Sequence, residues 1–238
     1  MSSRKLTRSI IVGAAAIAVA GGSYGIVSAT SSSSPAAASS GPSTSGSGFA
    51  HVPGAGGGSN ARSGPAAGGA AGTVGSLSSS GFTLTTSAGQ KVTIKEASST
   101  TYQKETSPAS VSAITTGEGV LVLGTTSNTT ITATQVIVEP AGSAYTSSSA
   151  KVVPFQRGTP TTAKSAGQIP ADYTEGSGTI VSGTAANKAT EAALAAYPGS
   201  VVDRVVKLSN GEYEVHYIGV NWPHHVFVNQ DFKVIGAD

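Results

Sequence analysis

Cysteine is absent from this sequence of 238 residues, charged residues make up only 11% of it and aromatic residues 5%, with one Trp and one Met. Without cysteine there is no disulfide, no thiol nucleophile, no Cys-based zinc site and no lipid attachment through a processed Cys. The thin charge excludes a second class. Fourteen Lys and Arg stand against 12 Asp and Glu with no basic cluster, which leaves no electrostatic footprint for nucleic acid. Catalytic motifs are missing as well: there is no Gly-x-Ser-x-Gly, no phosphate-cradling P-loop and no His-Glu-x-x-His. The serines crowd into low-complexity tracts that cannot hold a general base in place. A non-enzymatic protein without a cofactor is therefore expected.

The chain has one long apolar run, near its start. Arg4, Lys5 and Arg8 precede an uninterrupted stretch of apolar residues and Gly from Ile10 to Ala20, and Val27-Ser28-Ala29 forms a small-x-small site. Residues 1–29 thus carry the pattern of a secretory signal peptide. Export by the general secretory route follows, to the envelope or beyond, with cleavage before Thr30. The alternative is membrane attachment through an uncleaved Ile10 to Ala29, since roughly 20 residues is near the minimum for spanning a bilayer. Loss of the three basic residues leaves 11 basic against 12 acidic, so the net charge of +2 becomes −1 in the mature chain.

Residues 30–70 are almost wholly Ser, Gly, Ala, Thr and Pro. Side chains this small bury too little apolar area to offset about 1–2 kcal/mol of ordering entropy per residue, which predicts a flexible tether. From 71 to 140 the character changes. Short β-prone runs recur with turn signals between them, at Thr73 to Leu77, Gly81 to Thr86, Gln90 to Lys95, Thr101 to Lys104, Val120 to Thr125 and Thr130 to Glu139. Phe82/Leu84, Val92/Ile94 and Val136/Val138 alternate as strands with one buried face do. Such strands favour a small barrel of about six, because closure removes exposed edges. Residues 141–178, with Pro154, Pro160 and Pro170, read as a second linker whose apolar island is Val152-Val153-Pro154-Phe155.

Residues 179–238 switch from helical to strand periodicity within one unit. Ser182 and Thr184 are candidate N-caps; Ala185, Ala186, Ala189, Ala192, Ala193, Ala196 and Tyr197 share one face, opposite Asn187, Lys188 and Glu191; Pro198-Gly199 ends the helix. Val201 to Leu208 and Tyr213 to Val220 then form a hairpin across Asn210-Gly211, a pair suited to a type I′ turn. Tyr213, Val215 and Tyr217 are expected to face the alanine stripe, leaving Glu214, His216 and Ile218 on a partly wet face. A last antiparallel pair is read at His225 to Asn229 and Lys233 to Gly236. The whole reads as two small domains, an all-β barrel followed by an α+β unit of one helix packed on an antiparallel sheet, with long disordered N-terminal and interdomain segments.

The helix and hairpin, the strand start Tyr213-Glu214-Val215 and the closing Val228-Asn229-Gln230-Asp231-Phe232-Lys233-Val234 resemble a PepSY domain. That family's last turn usually reads Val-Asp-x-Thr-Gly-Lys-Val, so Asn229 stands in place of its Asp and Phe232 in place of its Gly. The resemblance implies a protein partner in the cell envelope, with a peptidase restrained by the domain as the family's theme. Gly72-Thr73-Val74, Gly117-Glu118-Gly119-Val120 and Thr132 to Val138 are similar to a small β-barrel domain of unknown function found in bacterial exported proteins, which implies a fold and no activity. A structural, wall-associated surface protein is the alternative function.

Two groups of residues remain. Trp222 and Pro223, with His224, sit between two strands and are candidate protein-binding residues, since Trp often dominates contact energies; folding back as a lid over the helix end is the other reading of Trp222. His216, His224 and His225 are weak metal candidates, because neutral imidazoles ligate zinc and copper. Neighbours on a strand point to opposite faces, so only one of His224 and His225 can join His216, and no carboxylate is expected to complete a site.

Overall fold

Val, Ile and Thr dominate the strands because branched side chains suit a pleated, half-buried surface. The computed structural model describes residues 64–140, 142–143, 145, 152–157 and 164–238. The signal segment, its cleavage site and nearly all of the tether lie outside the described residues. Among the described residues, no helix is long and apolar enough to cross a membrane.

Strands β1 (Ala66–Ser78), β2 (Gly81–Thr85), β3 (Lys91–Lys104), the short β4 (Ser107–Ala109), β5 (Gly119–Ser127) and β6 (Thr130–Val138) come first. Their order β2-β3-β6-β5-β1, together with a β1–β2 pairing, closes a five-stranded barrel in which β3 and β6 run parallel and the other pairs antiparallel. The count is five where six runs were expected, because Gln90 to Lys95 and Thr101 to Lys104 are two ends of β3. A register shift between Glu96 and Thr101 lets that strand turn the barrel corner without ending. Thr100 secures the bend, accepting from the Ala97 N–H at 2.9 Å and donating to the Ala133 carbonyl at 2.8 Å.

After the barrel come β7 (Val153–Pro154), β8 (Ala166–Gly167), β9 (Thr179–Ile180), helix α1 (Gly183–Ala196), β10 (Val201–Lys207), β11 (Tyr213–Ile218), β12 (Val220–Trp222), β13 (His225–Val228) and β14 (Val234–Ala237). The sheet continues without a break from β1 through β10, β11, β13 and β14 to β8. A barrel and an α+β layer are thus both present, but the two-domain expectation finds no gap in the sheet to rest on. The described part of the expected 141–178 linker is also woven in: β7 pairs with β12, β8 with β14, and Val152 is buried.

The junction is made at β1. One edge of its first half pairs with β5, while the other pairs with β10 through Gly69↔Val202 and Ala70↔Val201 before passing to β2 from Thr73 onward. A Cβ on Gly68 would stand 2.1 Å from the Val202 carbonyl oxygen. Tight crossing explains why strand structure begins at Ala66, inside the stretch expected as tether: the Ala/Gly tract is poor in side chains because there is no room for them.

Alternation then divides two cores. Ala70, Val120, Val122 and Val201 point into the barrel, whereas Ala71, Leu121 and Leu123 point out of it and join Ala186, Ala189, Ala193, Val215 and Tyr217 under the helix. Tyr213, Val215 and Tyr217 do meet the alanine stripe. The opposite face of β11 is not wet, since Glu214 and His216 are buried. At the hairpin only Gly211 has a positive φ, 85°, and the turn closes through Leu208 and Glu212, so it is wider than the type I′ turn expected at Asn210-Gly211.

Gly68→Ala should lower the unfolding free energy by about 1–3 kcal/mol, as forced overpacking does, with residues 64–238 still unfolding together. Urea titration followed by circular dichroism tests it; two separate transitions, or an unmoved midpoint, would show that β1 does not couple the halves.

Candidate functional site

Barrel strands present Gln103 from β3, Leu123 from β5 and Gln135 and Ile137 from β6 on the outer wall that α1 crosses, and the helix turns Asn187, Lys188 and Glu191 toward them. Between them lies a cleft of about 660 Å³, to which Glu139, Pro140 and Tyr145 also contribute. Its lining mixes the apolar Leu123 and Ile137 with Gln103, Gln135 and Asn187, and carries Glu105, Glu139 and Glu191 with Lys188. Burial, then repulsion from Glu191 and Glu105, pushes the Glu139 carboxyl above its ordinary range. Burial also raises the Tyr145 phenol, with Glu191 and Glu139 adding to the effect. Charge in the cleft is thus short of positive partners.

A second polar group lies on the face of β10, β11 and β13 turned away from the helix. His216 Nδ1 lies 2.5 Å from Asp203 Oδ1, and Asp203 Oδ2 accepts from Arg204 at 3.1 Å. His225 Nδ1 lies 2.8 Å from Glu214 Oε1, and the two imidazole rings are 5.2 Å apart. Arg204, Glu214, His216 and His225 are all buried. They stay so because residues 164–181 cross this face, held by β9 on β10, by Tyr173 packed on Phe227 with ring centroids 4.7 Å apart, and by Asp172, which accepts from Ser209 and from the Asn210 N–H. Removing one partner of so buried a pair costs about 3–5 kcal/mol, so these contacts fix the strand register as well as satisfying charge.

The structure therefore brings the rings of His216 and His225 together, 5.2 Å apart. Burial, then His225 and His216, holds the His224 imidazole below its ordinary range. Carboxylates do stand beside the pair, contrary to expectation, but on Nδ1. Among the described residues no group of three or more His, Cys, Asp or Glu side chains could hold a metal ion.

Trp222 is not part of an open rim. It is 9% exposed, its indole N–H donates to the Lys164 carbonyl, and its ring meets Tyr197 edge-on at 5.6 Å, which makes it a lid on the helix C-terminus. Pro223, joined to it by a cis peptide bond, is buried as well. The alanine-rich helix end leaves the space that the indole fills.

Of the cleft residues, only Asn187, Lys188 and Glu191 had a signal in the sequence, as the polar face of the helix. The others are spread over three strands and the loops after β3 and β6, and no local spacing unites them. No family model, curated protein or solved structure matches this chain.

Glu139→Gln should stabilise the protein at neutral pH. A carboxyl whose folded pKa is raised holds its proton more tightly when folded, so the wild type loses stability as pH climbs from the ordinary Glu value of about 4.3 through the raised one. Urea midpoints should favour the variant at pH 7 and converge below about pH 4; a variant less stable at pH 7 would contradict this. Trp222→Ala should cost about 3–5 kcal/mol, as truncation of buried aromatics does, and a thermal melt unchanged within error would refute the lid.

Proposed function

We propose that this chain is an exported, non-enzymatic envelope protein that binds a protein partner, and that the partner seats an extended, Lys- or Arg-bearing segment in the cleft between the barrel and α1. The observation that carries this reading is the cleft itself. Ile137 in the lining suits the aliphatic stem of a basic side chain, and the lining's Glu105, Glu139 and Glu191 suit the charged head. Three carboxylates against Lys188 leave a negative excess that steers such a segment inward. Restraint of a peptidase is what the PepSY resemblance adds. Export rests on the N-terminal pattern of Arg4, Lys5, Arg8 and the apolar run after them.

Photo-crosslinking in the native host tests the binding reading. A benzophenone amino acid at Asn187 should trap a protein partner, and a lysine-rich peptide should compete it away. The same group at exposed Thr93, elsewhere on the barrel, should trap nothing comparable. Failure to crosslink at Asn187, or equal trapping at both positions, would sink the cleft as a docking site.

A further inference from the structure

We propose that His216 and His225 bind one divalent transition-metal ion through their Nε2 atoms. The pair sits directly opposite on neighbouring antiparallel strands, β11 and β13. Both backbone groups of His225 are bonded to Asp238 on the far side, which places His216 and His225 at a non-hydrogen-bonded position, where Cα atoms approach to about 4.5 Å and side chains lie closest. The rings accordingly stand 5.2 Å apart.

Tautomers follow from the partners. An ionised carboxylate only accepts, so Asp203 and Glu214 fix the proton of each neutral ring on Nδ1 and leave Nε2 as a lone pair. A carboxylate on the far nitrogen is the arrangement that orients metal-ligating histidines and makes them better donors. His216 Nε2 is buried and has no hydrogen-bond partner among the described residues. Asp203 and Glu214 also outnumber Arg204, the one permanent cation of the cluster, so the local charge favours a cation.

Two imidazoles fall short of a set of three His, Cys, Asp or Glu ligands, and the remaining coordination comes from solvent or from Tyr173. That phenol oxygen is buried without a partner among the described residues, and its ring lies 5.5 Å from that of His225. Imidazole donors suit Zn²⁺ and Cu²⁺ over Ca²⁺ or Mg²⁺.

Calorimetric titration of the full chain with Zn²⁺ tests this, with Mg²⁺ as the negative control. One ion per chain should bind; His225→Ala should weaken binding at least about tenfold, Glu214→Gln by about 10–100-fold, and His224→Ala and His51→Ala by less than about twofold. Folding of each variant is checked by circular dichroism. Should His225→Ala unfold, ¹⁵N imidazole spectra of the wild type decide, because Zn²⁺ must shift the Nε2 signals of His216 and His225. No saturable binding, binding that survives His225→Ala in a folded protein, or shifts confined to His224 or His51 would overturn the site.

Discussion

The close crossing of β10 against β1 is the constraint on which the rest depends. β1 is 13 residues long and joins the barrel to the rest of the sheet, sharing one edge between β10 and β2 while the other edge lies along β5. Backbone hydrogen bonds span the crossing only if the strands approach to the normal ladder distance, and at Gly68 any side chain would stand in the way. Small residues here are therefore structural. Once β10 is fixed, β11 and β13 follow in register, and the helix has a platform that barrel and sheet build jointly.

That joint platform explains a feature of β5. Val120-Leu121-Val122-Leu123 shows no alternation, and every one of its side chains is buried. A barrel strand with a wet outer wall would alternate; a strand covered on both faces cannot. Val120 and Val122 fill the barrel, while Leu121 and Leu123 hold α1. The unbroken apolar run is the sequence signature of a second layer over the barrel wall, and it sits inside a segment where β2, the first half of β3 and β6 alternate.

Local features were legible and non-local ones were not. Helix α1, the 201–218 hairpin and the barrel strands could be read because apolar spacing and Gly or Pro breaks act over a few residues. The start of β1 was hidden, since its Ala/Gly tract has the composition of a tether and becomes a strand only where β5 and β10 enclose it. The burial of Glu214 and His216 was hidden for a related reason. Their strand alternates as a half-wet one does, and the cover comes from residues 164–181, whose turn-rich composition gives no hint of packing until Tyr173 meets Phe227. The closing turn shows the same override. Phe232 adopts a φ of 57°, a conformation that bulky side chains resist; its ring is stacked on Tyr213 at 5.4 Å and lies under Lys188, contacts that offset the strain.

Helix α1 and the histidine pair lie on opposite faces of β11. Tyr213, Val215 and Tyr217 look toward α1, whose polar side lines the cleft, and Glu214 and His216 look away from it. Glu139 and its neighbours draw their charge balance from the helix and barrel rim, whereas His216 and His225 draw theirs from Asp203, Glu214 and Arg204. A one-residue slip of β11 would exchange the faces, placing charges against the alanines and rings under the 164–181 cover. Buried Asp203–His216 and Glu214–His225 contacts, formed between neighbouring strands, oppose that slip. Polar pairs on one face thereby keep the apolar platform of the other in register, and the shape of the cleft depends on them without containing them.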